Sequence, residues 1–304
     1  MVCQSPVNQY RFYYMPLNTK YIIITPARDE EQYIEKTISS VILQTFKPVE
    51  WIIVNDGSVD NTGTIIDKYA TEYSWIKTVH RSNRGFRKAG GGVVEAFYTG
   101  YNALTCSDWE FIVKLDGDLS FEPDYFEKCF RRFEANPKLG VGGGMIYHSI
   151  DGKLEDEKGP RFHVRGATKI YRKACWDAIG GFIEAPGWDT LDEVKANMLG
   201  WQTQTLEDLQ LLHHRYTGAA DGSWRNCVKN GRANYISGYH PLFMLLKCTK
   251  RMFQKPFFIG SIGLFYGFIS GYTKRISQVD DRVLIKYLRK QQLKRLIFGS
   301  SIWK

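Results

Sequence analysis

The stretch Phe111-Ile112-Val113-Lys114-Leu115-Asp116-Gly117-Asp118 decides the fold. A short apolar run that ends at once in two carboxylates reads as a buried strand delivering acids to its carboxyl end. In open α/β sheets that edge is where ligands bind. Two aspartates separated by one glycine offer hard oxygen ligands to Mg2+ or Mn2+, which would neutralise a diphosphate. Asp-Gly-Asp is also an ordinary surface turn, so what precedes it carries the weight.

Upstream, strand and helix signals alternate. Tyr21-Ile22-Ile23-Ile24-Thr25, bounded by Pro26, has the near-continuous apolar character of a strand buried on both faces. Ile34, Ile38, Val41 and Ile42 then recur at helical spacing, predicting a helix over about 30–43. Val49 to Val54 reads as a second strand closed by Asn55-Asp56-Gly57-Ser58, with Asp60 as the N-cap of a helix carrying Ile65, Ile66 and Tyr69. A third strand at 75–79, a helix at 89–104 and the strand at 111–115 complete the series. Repeated βα units with short connections predict a mostly parallel, doubly wound sheet. Residues 140–240 are less periodic and rich in Gly and Trp, and read as a mixed half of the same domain.

The 304 residues suit one large α/β domain with an appendage, and the hydrophobic fraction of 43% is ample for a core. The net charge of +9 points to a polyanionic partner: nucleic acid, an anionic membrane face or a phosphate-bearing substrate. The six cysteines show no CxxC spacing, which argues against a zinc site or a disulfide framework and favours a reducing compartment. No signal peptide is read at the N-terminus.

From Pro241 the character changes. A basic group, Lys247, Lys250, Arg251 and Lys255, precedes an uncharged run from Pro256 to Thr273, after which Lys274 and Arg275 resume. As a helix, that run would span about 27 Å, close to a bilayer's hydrocarbon core. Gly263, Gly267 and Gly271 form a small-residue stripe of the kind that lets membrane helices pack closely. A buried core helix is the plainer alternative. The basic flanks on both sides favour an interfacial or re-entrant segment, placing 241–275 on the cytoplasmic membrane face as a peripheral or monotopic attachment. Nucleic acid is disfavoured, because the cations surround an apolar run rather than exposed stacking aromatics.

Three acid-bearing loops follow predicted strands: Thr25-Pro26-Ala27-Arg28-Asp29-Glu30, Asn55-Asp56-Gly57-Ser58 and Asp116-Gly117-Asp118. In a parallel sheet all three emerge at one edge. Asp29, Asp56 and Asp118 there suit a nucleotide, since carboxylates accept hydrogen bonds from base imide and ribose hydroxyl groups. Singly, each loop has an ordinary explanation as a turn or a helix N-terminus. Neither a GxGxxG nor a GxxxxGK[ST] occurs, which disfavours dehydrogenase and P-loop readings. Arg84, Arg87 and Lys88, in a glycine-rich loop, are candidates to meet a diphosphate.

These loops, in this order, resemble the inverting family 2 glycosyltransferases, over roughly residues 20–217. The resemblance implies a GT-A type nucleotide-sugar-binding domain over 1–240, with a nucleotide-sugar half at about 20–120 and an acceptor half at about 120–240. Residues 241–304 would be a helical, membrane-associating appendage. By position, Pro26, Arg28, Asp29, Asp56, Arg84 and Lys88 would bind the nucleotide sugar. Asp116 and Asp118 would contact the Mg2+ or Mn2+ and the sugar-diphosphate, Asp118 being the direct ligand. The family keeps its general base in an acidic pair before a helix that ends in glycine. Counting back from Gly200 gives Asp189, with Trp188 in place of the pair's first member and Asp192 as a competing carboxylate. The implied activity is transfer of a sugar from a nucleotide-diphosphate donor to a hydroxyl of a glycan, polysaccharide or lipid-linked acceptor, in the building of cell-envelope polysaccharide.

In His213-His214-Arg215, adjacent histidines on a strand would point to opposite faces, so at most one faces a pocket. Two rivals remain: a nucleotidyltransferase acting on a sugar phosphate, which lacks its glycine-rich basic loop after the first strand, and a non-enzymatic basic protein binding membrane or nucleic acid.

Overall fold

Tyr21 to Thr25 are all buried, which a strand achieves only at the centre of a sheet covered on both faces. The computed structural model describes residues 18–86, 91–150, 153–156, 159–215, 222–253, 257–297, 299 and 301–303. In it, β1 (Tyr21–Ala27) pairs in parallel with β2 (Glu50–Asn55) on one side and β4 (Phe111–Leu115) on the other. Beyond β2 lies β3 (Ile76–His80), again parallel. Helices α1 (Ile34–Ile42), α2 (Thr62–Glu72) and α3 (Gly91–Asn102) connect these strands. Alternation along β1 divides two cores. Tyr21 and Ile23 pack with Ile34, Ile38 and Ile66, whereas Ile22 and Ile24 pack with Val94 and Phe97. The first third is therefore doubly wound, as its apolar runs require.

The second half turns the sheet mixed. Beside β4 lies β8 (Thr168–Arg172), antiparallel to it, and then β6 (Leu139–Ile150), antiparallel to β8. β9 (Gln202–His213) runs parallel to β6, and the short β5 (Leu119–Phe121) closes the row antiparallel to β9. The order is β3-β2-β1-β4-β8-β6-β9-β5, with β7 (Lys153–Asp156) hairpinned onto β6. Helices α4 (Tyr125–Ala135), α5 (Lys173–Ile179) and α6 (Trp188–Met198) cover this half.

Two expected boundaries move. The helix expected from Glu30 starts at Ile34, because residues 31–33 form a turn whose backbone is bonded to the loop after β2. Asp60 is not the formal N-cap of α2, which is Asn61. Its carboxylate nevertheless accepts from the Thr62 amide at 3.0 Å and also takes the Glu31 amide.

The C-terminal helices are α7 (Ser223–Ile236), α8 (Pro241–Arg251), α9 (Ile259–Thr273) and α10 (Arg282–Ile297). Tyr235, Met244, Phe268, Leu284 and Leu288 pack onto Leu191 and Val194 of α6, so this region shares a core with the sheet domain. The glycine stripe of α9 faces α7. A Cβ on Gly267 would stand 2.1 Å from the Val228 carbonyl, and one on Gly231 of α7 would stand 2.0 Å from that of Leu264. Only glycine lets these backbones meet. Among the described residues, no helix is long and apolar enough to cross a membrane.

Candidate active site

Parallel pairing sets Ala27 beside Asn55 and Pro26 beside Val54, so the loops after β1 and β2 leave the sheet together, and the loop after β4 leaves at the same edge. The first two loops are stitched to each other. The Asp29 amide donates to Ser58 Oγ at 3.0 Å, and the Val59 amide donates to Asp29 Oδ1 at 3.0 Å. Glu30 N donates to Thr62 Oγ1 at 2.8 Å. Asp29 sits at φ 54, a conformation that aspartate tolerates better than most residues. Gly57, at φ 70, leaves no room for a Cβ, which would stand 2.5 Å from Asn83 Cα.

Asp56 is buried among cations. Arg81 and Arg84 both bond its carboxylate, and Arg28 approaches to 3.9 Å. Arg84 also reaches Glu95 at 3.0 Å. Arg84, expected on a diphosphate, is thus engaged with Asp56 and Glu95. Arg28 donates to Asn83 Oδ1 at 3.1 Å. Lys88 and Arg87 lie outside the described residues.

At the next loop, Asp118 is buried with one carboxylate oxygen, Oδ1, that no hydrogen bond satisfies. Its other oxygen stands 3.1 Å from His213 Nε2 and 3.9 Å from Arg215 Nε. The antiparallel pairing of Leu119 with His213 causes this, bringing the end of β9 over the Asp-Gly-Asp loop. Arg215 also bonds Glu30 and donates to the Asp29 carbonyl at 3.0 Å, closing β9 onto the first loop. His214 points elsewhere, stacked on Tyr33 with Nε2 2.9 Å from Ser120 Oγ. The two histidines face different neighbours, though not by strand alternation, because β9 ends at His213 and His214 lies just past it.

Asp116 bonds the ammonium of the buried Lys114, which also donates to the Gly166 carbonyl. Burial raises the Asp116 carboxyl above its ordinary value; Lys114 opposes the shift and Asp118 reinforces it. The segment at Gly166 lies against the start of α6, since a Cβ there would stand 3.3 Å from the Trp188 ring and 3.4 Å from Asp189 Cβ. Asp189 is half-buried in the first turn of α6, beside the loop after β4. Trp188 lies between two buried ammonium groups, 5.6 Å from Lys114 Nζ and 5.5 Å from Lys169 Nζ.

Asp192 is in a different setting. It is 1% exposed, with both oxygens on Lys169 Nζ at 3.0 and 2.9 Å, the Tyr171 hydroxyl on one, and the Glu193 amide at 2.7 Å on the other. Glu193 is also within 2.8 Å of Lys169 and accepts from Val164 N at 2.7 Å and from His163 at 2.8 Å. Burial pushes the Asp192 carboxyl up to about 6 against the pull of Lys169. Burial also works to lower Lys169 and His163, but Asp192 and Glu193 outweigh it for the lysine, and Glu193 does so for the histidine, leaving both raised. Lys169 additionally donates to the Asp189 carbonyl, tying this cluster to the start of α6.

The structure therefore brings Asp29, Asp56, Asp116 and Asp118 to one edge with Asp189 beside them, and holds Asp192 in the core beneath. Sequence reasoning missed Arg81, Lys114, Lys169 and the approach of His213 to Asp118. A lysine within an apolar strand was the available signal for Lys114. Among the described residues, no group of three or more His, Cys, Asp or Glu side chains is placed to hold a metal. Two protein ligands and a substrate diphosphate are, however, the usual surroundings of Mg2+.

Residues 22–184 match the family profile described as Glycosyl transferase family 2. The sequence is 31% identical over 190 residues to the chondroitin synthase of Pasteurella multocida (strain Pm70), covering 59% of this chain and 18% of that protein. The fold resembles mannosyltransferase PcManGT from Pyrobaculum calidifontis, solved with GDP-Man and Mn2+, with a TM-score of 0.57 at 15% identity. That match covers 94% of this chain and 85% of the other. It also resembles S. aureus TarS 1–349 in complex with UDP, with a TM-score of 0.52 at 18% identity, covering 84% and 72%. The chain spans 22%, 35% and 18% of the lengths of three curated relatives that it matches. Because the profile takes in over half of its residues, the chain belongs to glycosyl transferase family 2.

Proposed function

We propose that this chain transfers a sugar from a nucleotide-diphosphate donor to a hydroxyl of a glycan or lipid-linked acceptor, with inversion and with the help of Mg2+ or Mn2+. The observation that carries the reading is the buried Asp118 carboxylate, with an unsatisfied oxygen at the edge where the three acid-bearing loops meet. A buried acceptor left without a partner costs about 1–3 kcal/mol, which a bound cation would offset. Asp118 and Asp116 would hold that cation, with His213 within reach of the same place. The chemistry it would supply there is neutralisation of the leaving diphosphate.

The remaining steps belong to the chain. Asp56, with its ring of arginines, and Asp29 line the nucleoside end of the edge. Asp189 accepts the proton of the acceptor hydroxyl as that oxygen attacks the anomeric carbon from the face opposite the diphosphate. The bond from that carbon to the diphosphate oxygen breaks, and the configuration inverts. Asp192 cannot meet an acceptor, because Lys169, Tyr171 and the Glu193 amide enclose it. The likeness to chondroitin synthase supports a glycan acceptor and a place in cell-envelope polysaccharide synthesis.

The test is transfer from labelled nucleotide sugars, with the product's anomeric configuration read by NMR, on wild type and Asp189→Asn. The variant should lose about 10²–10⁴ in kcat while keeping its donor affinity. Retention of configuration, or a fully active Asp189→Asn, would overturn the assignment.

A further inference from the structure

The outward face of the C-terminal helices has no use in the proposed transfer. With the glycine stripe of α9 consumed by α7, the opposite face presents Ile262, Tyr266 and Ile269 to solvent, Ile262 being 59% exposed. Leu242, Leu245 and Leu246 of α8 are similarly exposed. Between the two helices, Phe253, Phe257 and Phe258 project, and Phe253 is 76% exposed. Phe258 sits at φ 57, in a tight turn where Ile259 N bonds the Phe257 carbonyl at 2.5 Å. A bulky side chain held in that conformation is strained, and such strain concentrates at functional segments. The exposed apolar residues of this face lie on two neighbouring helices and beside the ends that face each other, and grouped apolar exposure of this kind marks interaction surfaces.

Charge frames this face. Lys250 and Arg251 end α8, Lys274 and Arg275 follow α9, and no acidic residue occurs from Pro241 to Val279. Close by, α10 carries Arg282, Lys286, Lys290 and Lys294 at four-residue spacing. Together with Arg289 and His240 they line a groove of about 800 Å³, and no acid is among the described residues that line it. His240 is the N-cap of α8, so the groove begins on the helix whose leucines belong to the apolar face. None of those four α10 cations has an ion-pair partner among the described residues.

We infer that this face is a monotopic membrane-insertion surface, with α8, α9 and the phenylalanine turn sunk into the headgroup boundary of an anionic bilayer and the α10 groove holding lipid phosphates. At 15 residues, α9 is about 22 Å long, too short to span but suited to lying in the interface. A second copy of the chain is the poorer occupant. A two-fold contact through this face would bring the Lys and Arg residues of 241–279 in both copies together, and that stretch holds no acid to answer them. Attachment is independent of the transfer chemistry.

The test is flotation of the full chain with neutral and with anionic phosphatidylglycerol-containing vesicles, at low salt and at about 1 M salt, where charges are screened beyond ~3 Å. Wild type should float with anionic vesicles at both salt concentrations. Leu245→Gln/Ile262→Gln/Ile269→Gln, which alters only exposed positions and should melt like wild type, should lose about tenfold or more of its binding to both vesicle types. Lys286→Glu/Lys290→Glu/Lys294→Glu should keep its binding to neutral vesicles and lose the preference for anionic ones by about tenfold or more. Release of wild type by salt would overturn the inference, as would a triple-glutamine variant that floats normally. A glutamine variant that only converts a dimer to a monomer in sedimentation would assign the face to a second copy instead.

Discussion

Two buried carboxylates, each beside a basic side chain, divide this molecule. Asp192 is enclosed, each oxygen taken by Lys169 and shared with the Tyr171 hydroxyl or the Glu193 amide. Asp118 stands beside His213 and Arg215 with one oxygen that nothing satisfies. Burial alone does not mark a functional acid. A complete set of partners makes a charge part of the scaffold, whereas an incomplete set at a sheet edge leaves a place for a ligand.

The sharpest way to break this contrast is to neutralise each acid in turn. Asp118→Asn should lower turnover by about a thousandfold while Tm holds or rises, because a buried charge is removed. Asp192→Asn should do the reverse in kind, leaving Lys169 half-paired and costing about 3–5 kcal/mol, a fall in Tm on the order of 10 °C. Calorimetry and transfer assays on the two variants check both outcomes. An inactive but stable Asp192→Asn would erase the distinction. Smaller, and confined to packing, Gly267→Ala should destabilise by about 1–3 kcal/mol, since its Cβ meets the Val228 carbonyl. An unaltered unfolding midpoint would mean that α7 and α9 do not need the close approach.

The smallest effect concerns His163, which faces Glu193 with Asp189 and Lys169 nearby. Its value is raised above the ordinary 6.5, so its stabilising contribution is fully present below pH 6.5 and is lost as pH rises through the raised folded value. The Tm advantage of wild type over His163→Gln should therefore be largest below pH 6.5 and shrink above it. A pH-independent difference would remove His163 from the ionised cluster.

The first half of the fold was legible because Ile22, Ile23 and Ile24, like Ile52 and Ile53, form continuous apolar runs that only a doubly covered strand buries. Parallel pairing then forces the acids that follow to one edge. The second half was not legible in the same way. β6 contains Gly140, Gly142, Gly143 and Gly144, poor strand formers that fit because their neighbours leave no space for side chains. The nearness of His213 to Asp118 depends on pairing between β5 and β9, strands about ninety residues apart, which no local pattern encodes. Lys169 lay hidden for a related reason, since its partners come from α6. The glycine stripe of α9 was readable as a packing face, but not the helix it packs against.

On this reading Asp118 completes a cation site shared with a nucleoside diphosphate. That role is tested most directly by calorimetric titration of UDP and GDP, with and without Mn2+, into wild type and Asp118→Asn. Wild type should bind at least one of the two nucleotides at least about tenfold more tightly with Mn2+ than without it, and Asp118→Asn should lose that gain while keeping the metal-free affinity. Equal Mn2+ enhancement in the two proteins would remove Asp118 from the cation site.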